Sequence, residues 1–148
     1  MFRQGHKHPL GRYDIIMIER NLYVGRWAVN FLFATDSYDK ELIAKRLYDA
    51  DAGYDIIDRS EDIMDNGGYN CGFTYTNPEL YKAVVVIGPT TSGHEFQNTV
   101  VHEIHHLAVA IAENLGIDLE GEEPAYIAGD TALELAEVLC HLGCSLCN

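Results

Sequence analysis

This chain has few long apolar stretches and no internal repetition. It contains no run of about 18 consecutive apolar residues, which excludes an ordinary transmembrane helix. Its first residues are polar, so we expect no secretory signal peptide and a cytoplasmic location. No repeat or low-complexity tract marks a boundary, and residues 1–148 are therefore predicted to form a single domain.

Basic residues are also scarce. The chain has 10 Lys and Arg against 23 Asp and Glu, which gives a formal net charge of −13. Nucleic acids and anionic membranes are bound through basic patches, and the basic residues that cluster here all precede residue 13. We therefore expect neither nucleic acid nor membrane as a partner. The sequence carries no signal for an oligomeric state.

Cysteines are few, and most of them lie near the end of the chain. Cys140, Cys144 and Cys147 form the pattern C-x₃-C-x₂-C, and His141 lies beside the first of them. One interpretation is a second metal site, because thiolates and imidazole both bind zinc. The preferred interpretation places Cys140 and Cys144 on one face of the last helix as small apolar side chains, with Cys147 in a frayed end.

The string His102-Glu103-Ile104-His105-His106 contains the pattern H-E-x-x-H. Residues four apart share one face of a helix, so His102 and His106 can bind the same Zn²⁺. Glu103 is one residue further round the helix, where its carboxylate can accept a proton from water that the zinc activates. The alternative is a His-rich helix on which the pattern is a coincidence, since the chain has 7 His.

The sequence around this pattern predicts a helix. Ser92 and Glu95 are spaced as in a capping box, and Gly116 is a typical residue just past a helix end. We therefore expect a helix over 93–115, with the two histidines in its middle. Apolar residues recur at three- and four-residue spacing and form a stripe that excludes the histidines: Val100, Ile104, Leu107, Ala108, Ile111 and Leu115.

A second helix is expected shortly after the first. Gly121 interrupts the chain, and Pro124 is tolerated in a first helical turn. Glu122 and Glu123 suit the positive end of the helix dipole. The sequence thus predicts one helix from about Glu122 to Cys144, antiparallel to the first because the connection is short. Its first turn would return toward the histidines, where a catalytic zinc usually needs a third protein ligand.

These residues resemble a known family. H-E-x-x-H, followed after a short loop by a helix that opens with Glu-x-x-Ala, is similar to the gluzincin branch of the zincin metallopeptidases. More narrowly, the chain resembles the small single-domain minigluzincins and their phage or mobile-element relatives over about residues 82–140. The resemblance implies that Glu122 is the third zinc ligand, with Glu123 as the alternative one residue on. It also implies that Ala125 allows the two helices to pack closely.

The resemblance implies an activity as well. The expected function is zinc-dependent hydrolysis of peptide bonds in a peptide or protein substrate, with Glu103 as the general base. The position four after the ligand Glu is often Asp or Asn in the family but is Tyr126 here, so Asp130 is a candidate partner for a zinc-bound histidine. The candidates for stabilising the oxyanion are Tyr126, Tyr75, His94 and His105.

Two rival functions remain on the sequence alone. The first is a catalytically inactive or structural metal-binding interaction protein of a mobile element. The second is a zinc hydrolase that acts on esters or amides other than peptide bonds. The sequence indicates neither the substrate nor the bond that would be cleaved.

The rest of the chain is expected to supply a small sheet, so the predicted fold class is α+β. Strands are predicted over 14–20, 21–33 and 68–76, with a hairpin turn near Asn21 or Gly25. A helix is predicted over 39–52, capped by Asp36 or Ser37 and stopped by Gly53, whereas residues 54–67 fit neither pattern.

The β-branched run over 83–87 predicts a buried strand directly before the H-E-x-x-H helix. We expect this strand, near residues 82–88, to lie at a sheet edge and to accept a peptide by strand addition. The whole is predicted to be a small zincin-like domain. Its N-terminal sheet would pack on the H-E-x-x-H helix, with the Glu-bearing helix alongside.

Overall fold

A four-stranded sheet forms the centre of the fold in the computed structural model, which describes residues 17–147. The strands are β1 (Ile18–Val24), β2 (Trp27–Phe33), β3 (Gly72–Asn77) and β4 (Lys82–Ile87). Their order in space is β1-β2-β4-β3; the central pair is parallel and the two outer pairs are antiparallel. With the helices described below, the sheet confirms the predicted α+β class.

The first two strands form a hairpin through Gly25-Arg26. Gly25 has a φ of 59°, a left-handed conformation that glycine adopts without steric cost. Of the two predicted turn positions, Gly25 is therefore confirmed. Asn21 is wrong as a turn, because it pairs with Asn30 within the ladder. The first residues of the strand predicted over 14–20 lie outside the described residues.

Two helices cover one face of the sheet: α1 (Lys40–Asp49) and α2 (Tyr54–Asn66). A short 3₁₀ turn precedes α1, and Asp36 caps it with a reciprocal capping box. The helix predicted over 39–52 ends at Asp49, because Asp51 adopts a left-handed φ of 60°. Gly53 is the N-cap of α2 rather than the stop of α1. Residues 54–66, which fit neither a helix nor a strand pattern, are helical.

Three helices cover the other face: α3 (Gly93–Asn114), α4 (Glu123–Glu134) and α5 (Ala136–Cys147). The prediction of one helix from Glu122 to Cys144 is wrong, because the helix is interrupted at Leu135, between α4 and α5. The backbone N–H of Leu135 is shared between the carbonyls of Thr131 and Ala132, at 3.2 Å from each, and its side chain is fully buried. The buried side chain fixes this junction in the core.

The cysteine predictions have mixed outcomes. Cys140 is exposed rather than packed as an apolar residue. Cys144 and Cys147 belong to α5, so Cys147 is helical rather than frayed, and their side chains lie outside the described set.

The strand that precedes α3 does not lie at an edge. β4 lies between β2 and β3, so the predicted edge position near 82–88 is wrong, and β3 is the outer strand on that side. Residues 83–87 are all buried. An unbroken apolar run of this kind is typical of a strand covered on both faces, which is an interior position.

The two faces of the sheet contribute to two separate cores. Alternate residues of β2 and β4 pack with α3, α4 and α5, and the intervening ones, such as Leu32 and Val84, pack with α1 and α2. The second helical layer was not predicted. Among the described helices, none combines the length and apolar character that crossing a bilayer requires.

Candidate metal site

The helix that carries H-E-x-x-H begins where the sequence predicts. The Oγ of Ser92 accepts a hydrogen bond of 3.1 Å from the backbone N–H of Glu95, which fixes the first turn of α3. The buried side of the helix includes Val100, Ile104 and Leu107. The prediction that Leu115 belongs to the apolar stripe of this helix is wrong, because Leu115 is the C-cap residue and is exposed.

The two histidines of the motif lie together on the exposed side of α3. The Nε2 atoms of His102 and His106 are 3.1 Å apart, and their rings meet edge to face. Two Zn–N bonds of about 2.0–2.1 Å at a tetrahedral angle separate the nitrogens by roughly 3.3 Å. The observed separation therefore suits two ligands of one ion; without an ion, one ring N–H can donate to the other nitrogen.

Glu103 differs from the two histidines of the motif in burial. It is 4 % exposed, whereas the side chain of His102 is 66 % exposed. The Oε2 of Glu103 nevertheless lies 4.0 Å from the Nε2 of His102. One ligand atom from each of His102, Glu103 and His106 falls within 4.8 Å of the others, so this group can hold a metal ion.

β3 supplies the contact that holds Glu103. The Oγ1 of Thr74 lies 3.1 Å from the Oε1 of Glu103 and 3.2 Å from its backbone oxygen. Gly72, two residues earlier on the same face, permits the close approach, since a Cβ there would lie 3.2 Å from the Cγ of Glu103. Sequence reasoning missed both residues, because nothing local links a strand residue to a helix residue 29 positions later.

The environment of Glu103 fits a nearby cation. A buried carboxylate is costly unless hydrogen bonds or an opposite charge compensate it. Among the described residues, the hydroxyl of Thr74 is the hydrogen-bond donor to this carboxylate, and the nearest basic group is the imidazole of His102. One neutral hydroxyl compensates a buried charge only in part. The donor set of two imidazoles and one carboxylate is also one that zinc accepts.

The predicted third ligands lie at the start of α4. Glu123 is its first residue and Glu122 is its N-cap, and both side chains are exposed. Neither belongs to the group formed by His102, Glu103 and His106. α4 packs against α3, and Pro124 occupies its first turn as expected. Ligation by Glu122 or Glu123 stays a prediction.

The other candidate residues divide between the two faces of the fold. Tyr75 packs with the core of α1 and α2, and its hydroxyl lies 3.5 Å from the backbone oxygen of Asp51. Tyr75 therefore points away from Glu103, and the prediction that it stabilises the oxyanion is wrong. The pKa of Tyr75 is raised, mainly because its side chain is partly buried. Tyr126 is exposed on α4, and its role stays a prediction.

The remaining candidates are exposed on helices of the same layer as α3. His105 has its ring centroid 6.3 Å from that of His106. His94 lies in the first turn of α3, two helical turns before His102, and Asp130 lies on α4. None of these three belongs to the metal-binding group.

Comparisons with protein-family models, with curated proteins and with solved structures find no match to this chain. The function proposed below therefore rests on the geometry of the metal site.

Proposed function

We propose that this protein is a zinc-dependent metallopeptidase. The observation that carries the proposal is the grouping of two helical imidazoles with a buried carboxylate, in which the ligand atoms of His102, Glu103 and His106 lie within 4.8 Å. Two histidines one helical turn apart, with a glutamate between them, form one of the arrangements in which a helix can hold a zinc ion for hydrolysis.

His102 and His106 would hold the zinc ion through their Nε2 atoms. Glu122 is the proposed third ligand, with Glu123 as the alternative, because both begin a helix that packs against α3. When bound, zinc would polarise the scissile carbonyl and lower the pKa of water.

Glu103 would be the general base. In this role its carboxylate accepts a proton from the attacking water and passes it to the leaving amine. The contact with Thr74 engages Oε1, whereas Oε2 is the oxygen measured at 4.0 Å from His102. The free oxygen thus faces the histidine pair. The low exposure of the carboxylate keeps bulk water from competing for the proton.

The outer edge of β3 is the proposed binding site for the peptide. The N–H of Gly88 donates to the carbonyl of Cys71 at 2.8 Å, directly beyond the last pair of the β3–β4 register, in which Gly72 is opposite Ile87. Hydrogen-bonded pairs alternate along an antiparallel ladder, so the backbone groups of Gly72, Thr74 and Thr76 point away from β4. They face the side of β3 on which the described residues place no further strand, which we call the open edge. An extended peptide can pair with them by strand addition, which favours a peptide over a small ester.

The test is a digest of a diverse peptide mixture by the zinc-loaded protein, with products identified by mass spectrometry. Glu103→Gln should reduce cleavage by about 10²–10⁴-fold while zinc stays bound. Glu113→Gln is the matched control, because Glu113 is exposed near the other end of α3. Full activity of Glu103→Gln would overturn the proposal.

A parallel panel of small esters and amides separates the rival functions. Cleavage of these compounds without any peptide cleavage would identify a different zinc hydrolase. Zinc binding without hydrolysis of either panel would identify a structural metal-binding protein.

A further inference from the structure

We infer that Thr74 is a positioning residue that orients the carboxylate of Glu103 and links it to the strand on which the peptide binds. This inference rests on the proposed function and concerns a residue outside the H-E-x-x-H pattern. It starts from the two contacts of the Thr74 hydroxyl, both of which are made to Glu103.

The hydroxyl of Thr74 fixes one oxygen of the carboxylate. Its Oγ1 is 3.1 Å from Oε1 and 3.2 Å from the backbone oxygen of the same glutamate. A hydroxyl has one proton, which can be donated to either acceptor. Both acceptors belong to one residue: donation to Oε1 holds the carboxylate against β3, and donation to the backbone oxygen holds the helix at the same residue. The carboxylate is thereby restrained in the rotamer that leaves Oε2 toward His102.

Close packing of β3 on α3 reinforces this restraint. A Cβ at Gly72 would lie 3.1 Å from the Cγ2 of Thr99, 3.2 Å from the Cγ of Glu103 and 2.8 Å from the backbone oxygen of Val86. At Gly72 the strand therefore approaches Thr99 and Glu103 of the helix without a side chain of its own between them. Displacement of β3 at this point would move Thr74 and the carboxylate together.

The backbone of Thr74 is available to bind the peptide. By the alternation of the antiparallel ladder, its N–H and C=O point to the open edge, while its side chain contacts Glu103 on the face of α3. A peptide paired with β3 would thus bind the backbone of the residue whose hydroxyl orients the base. The two functions of Thr74 use different atoms, so a change of side chain separates them.

This separation gives a specific kinetic signature. Loss of the hydroxyl should lower kcat, because the carboxylate is no longer oriented, and leave KM nearly unchanged, because the backbone groups that bind the peptide remain. A residue that only joins strand to helix would instead change stability without a kcat-specific loss.

The experiment compares Thr74→Val, Thr74→Ala and Thr74→Ser in the full zinc-loaded chain. Valine keeps the shape without the hydroxyl, and alanine removes it without added bulk if valine impairs folding. Both should lower kcat by about tenfold or more, the effect of one lost hydrogen bond, with unchanged zinc content. Serine keeps a hydroxyl and should restore most of kcat.

Thr35→Val is the matched control, since it removes a buried threonine hydroxyl whose hydrogen bond, of 3.0 Å to the backbone oxygen of Ile87, does not involve Glu103. Wild-type kcat in Thr74→Val or Thr74→Ala, a change confined to KM, or no rescue by serine would overturn the inference. Absence of peptide cleavage by the zinc-loaded wild type would instead overturn the proposed function, and the inference with it.

Discussion

The Nε2 atoms of His102 and His106 lie 3.1 Å apart on the exposed side of a helix whose opposite side is in the core. The helix backbone sets their separation, so the pair exists without closure of any loop. A ligand that binds only the folded state stabilises it in proportion to the logarithm of its concentration. As the proposed zinc ligands, the pair would therefore link zinc binding to thermal stability.

Zinc should raise the melting temperature of the wild-type protein. At a free concentration about 100 times the dissociation constant, the gain is about 2.7 kcal/mol. His106→Ala should abolish the shift, and His105→Ala, at an exposed neighbour outside the metal-binding group, should retain it. The measurement is differential scanning calorimetry with zinc and with chelator. An equal shift in both variants would mean that zinc binds elsewhere.

Zinc affinity should depend on one glutamate at the start of α4. Glu122→Gln should weaken binding by at least about 10–100-fold, the loss typical even of groups that only support metal ligands. Glu123→Gln provides a matched comparison, because it is adjacent, exposed and equally charged. Competition titration with a chromophoric chelator measures both. The opposite ranking would make Glu123 the ligand, and equal affinity in all three proteins would contradict a ligand at either position.

Gly72→Ala should destabilise the protein by about 1–3 kcal/mol. The added Cβ would crowd the backbone oxygen of Val86 on β4 and the side chains of Thr99 and Glu103 on α3. Gly129→Ala is the control: it lies within α4, and a Cβ there has no neighbour within 4 Å. That change should stabilise by roughly 0.5–1 kcal/mol. Urea unfolding measures both, and equal stability of Gly72→Ala and wild type would contradict the close approach.

The ion pair of Glu19 and Arg46 should make stability depend on pH. Arg46 donates to both carboxylate oxygens, at 2.6 and 3.1 Å, and these hydrogen bonds are the main cause that lowers the pKa of Glu19. A lowered pKa gives stability that is present above the unfolded-state pKa and is lost as pH falls through the folded-state value. Arg46→Met would leave the buried carboxylate without its cation.

Arg46→Met should therefore cost about 3 kcal/mol at pH 7. The cost should shrink as the pH falls below the ordinary pKa of a glutamate and through the lowered folded-state pKa of Glu19, where this carboxylate takes up a proton. Lys45→Met, at an exposed position of the same helix, should cost little at either pH. Urea unfolding at several pH values measures these differences. A cost that does not change with pH would assign the effect to lost packing.

The sequence was sufficient where the determining interactions are local. The Ser92 cap, the limits of α3 and the burial of β4 follow from spacing and composition within one element. The meeting of His102 and His106 follows from helix periodicity alone.

Other features depend on contacts between distant segments. The order of the strands decided that β3 rather than β4 forms the edge, and no pattern within either strand carries that order. The hydrogen bond from Thr74 to Glu103 and the interruption of the helix at Leu135 likewise arise from packing between elements. Tyr75 was misassigned for the same reason, because its face of the strand could not be read without the register.

The most direct test of the account is the zinc content of the purified protein, measured by plasma mass spectrometry after growth in zinc-replete medium. We predict about one zinc ion per chain in the wild type and in His105→Ala, and none in His106→Ala. A wild-type protein without zinc, or a His106→Ala variant that retains it in full, would contradict the metal site and reduce H-E-x-x-H to a coincidence on a His-rich helix.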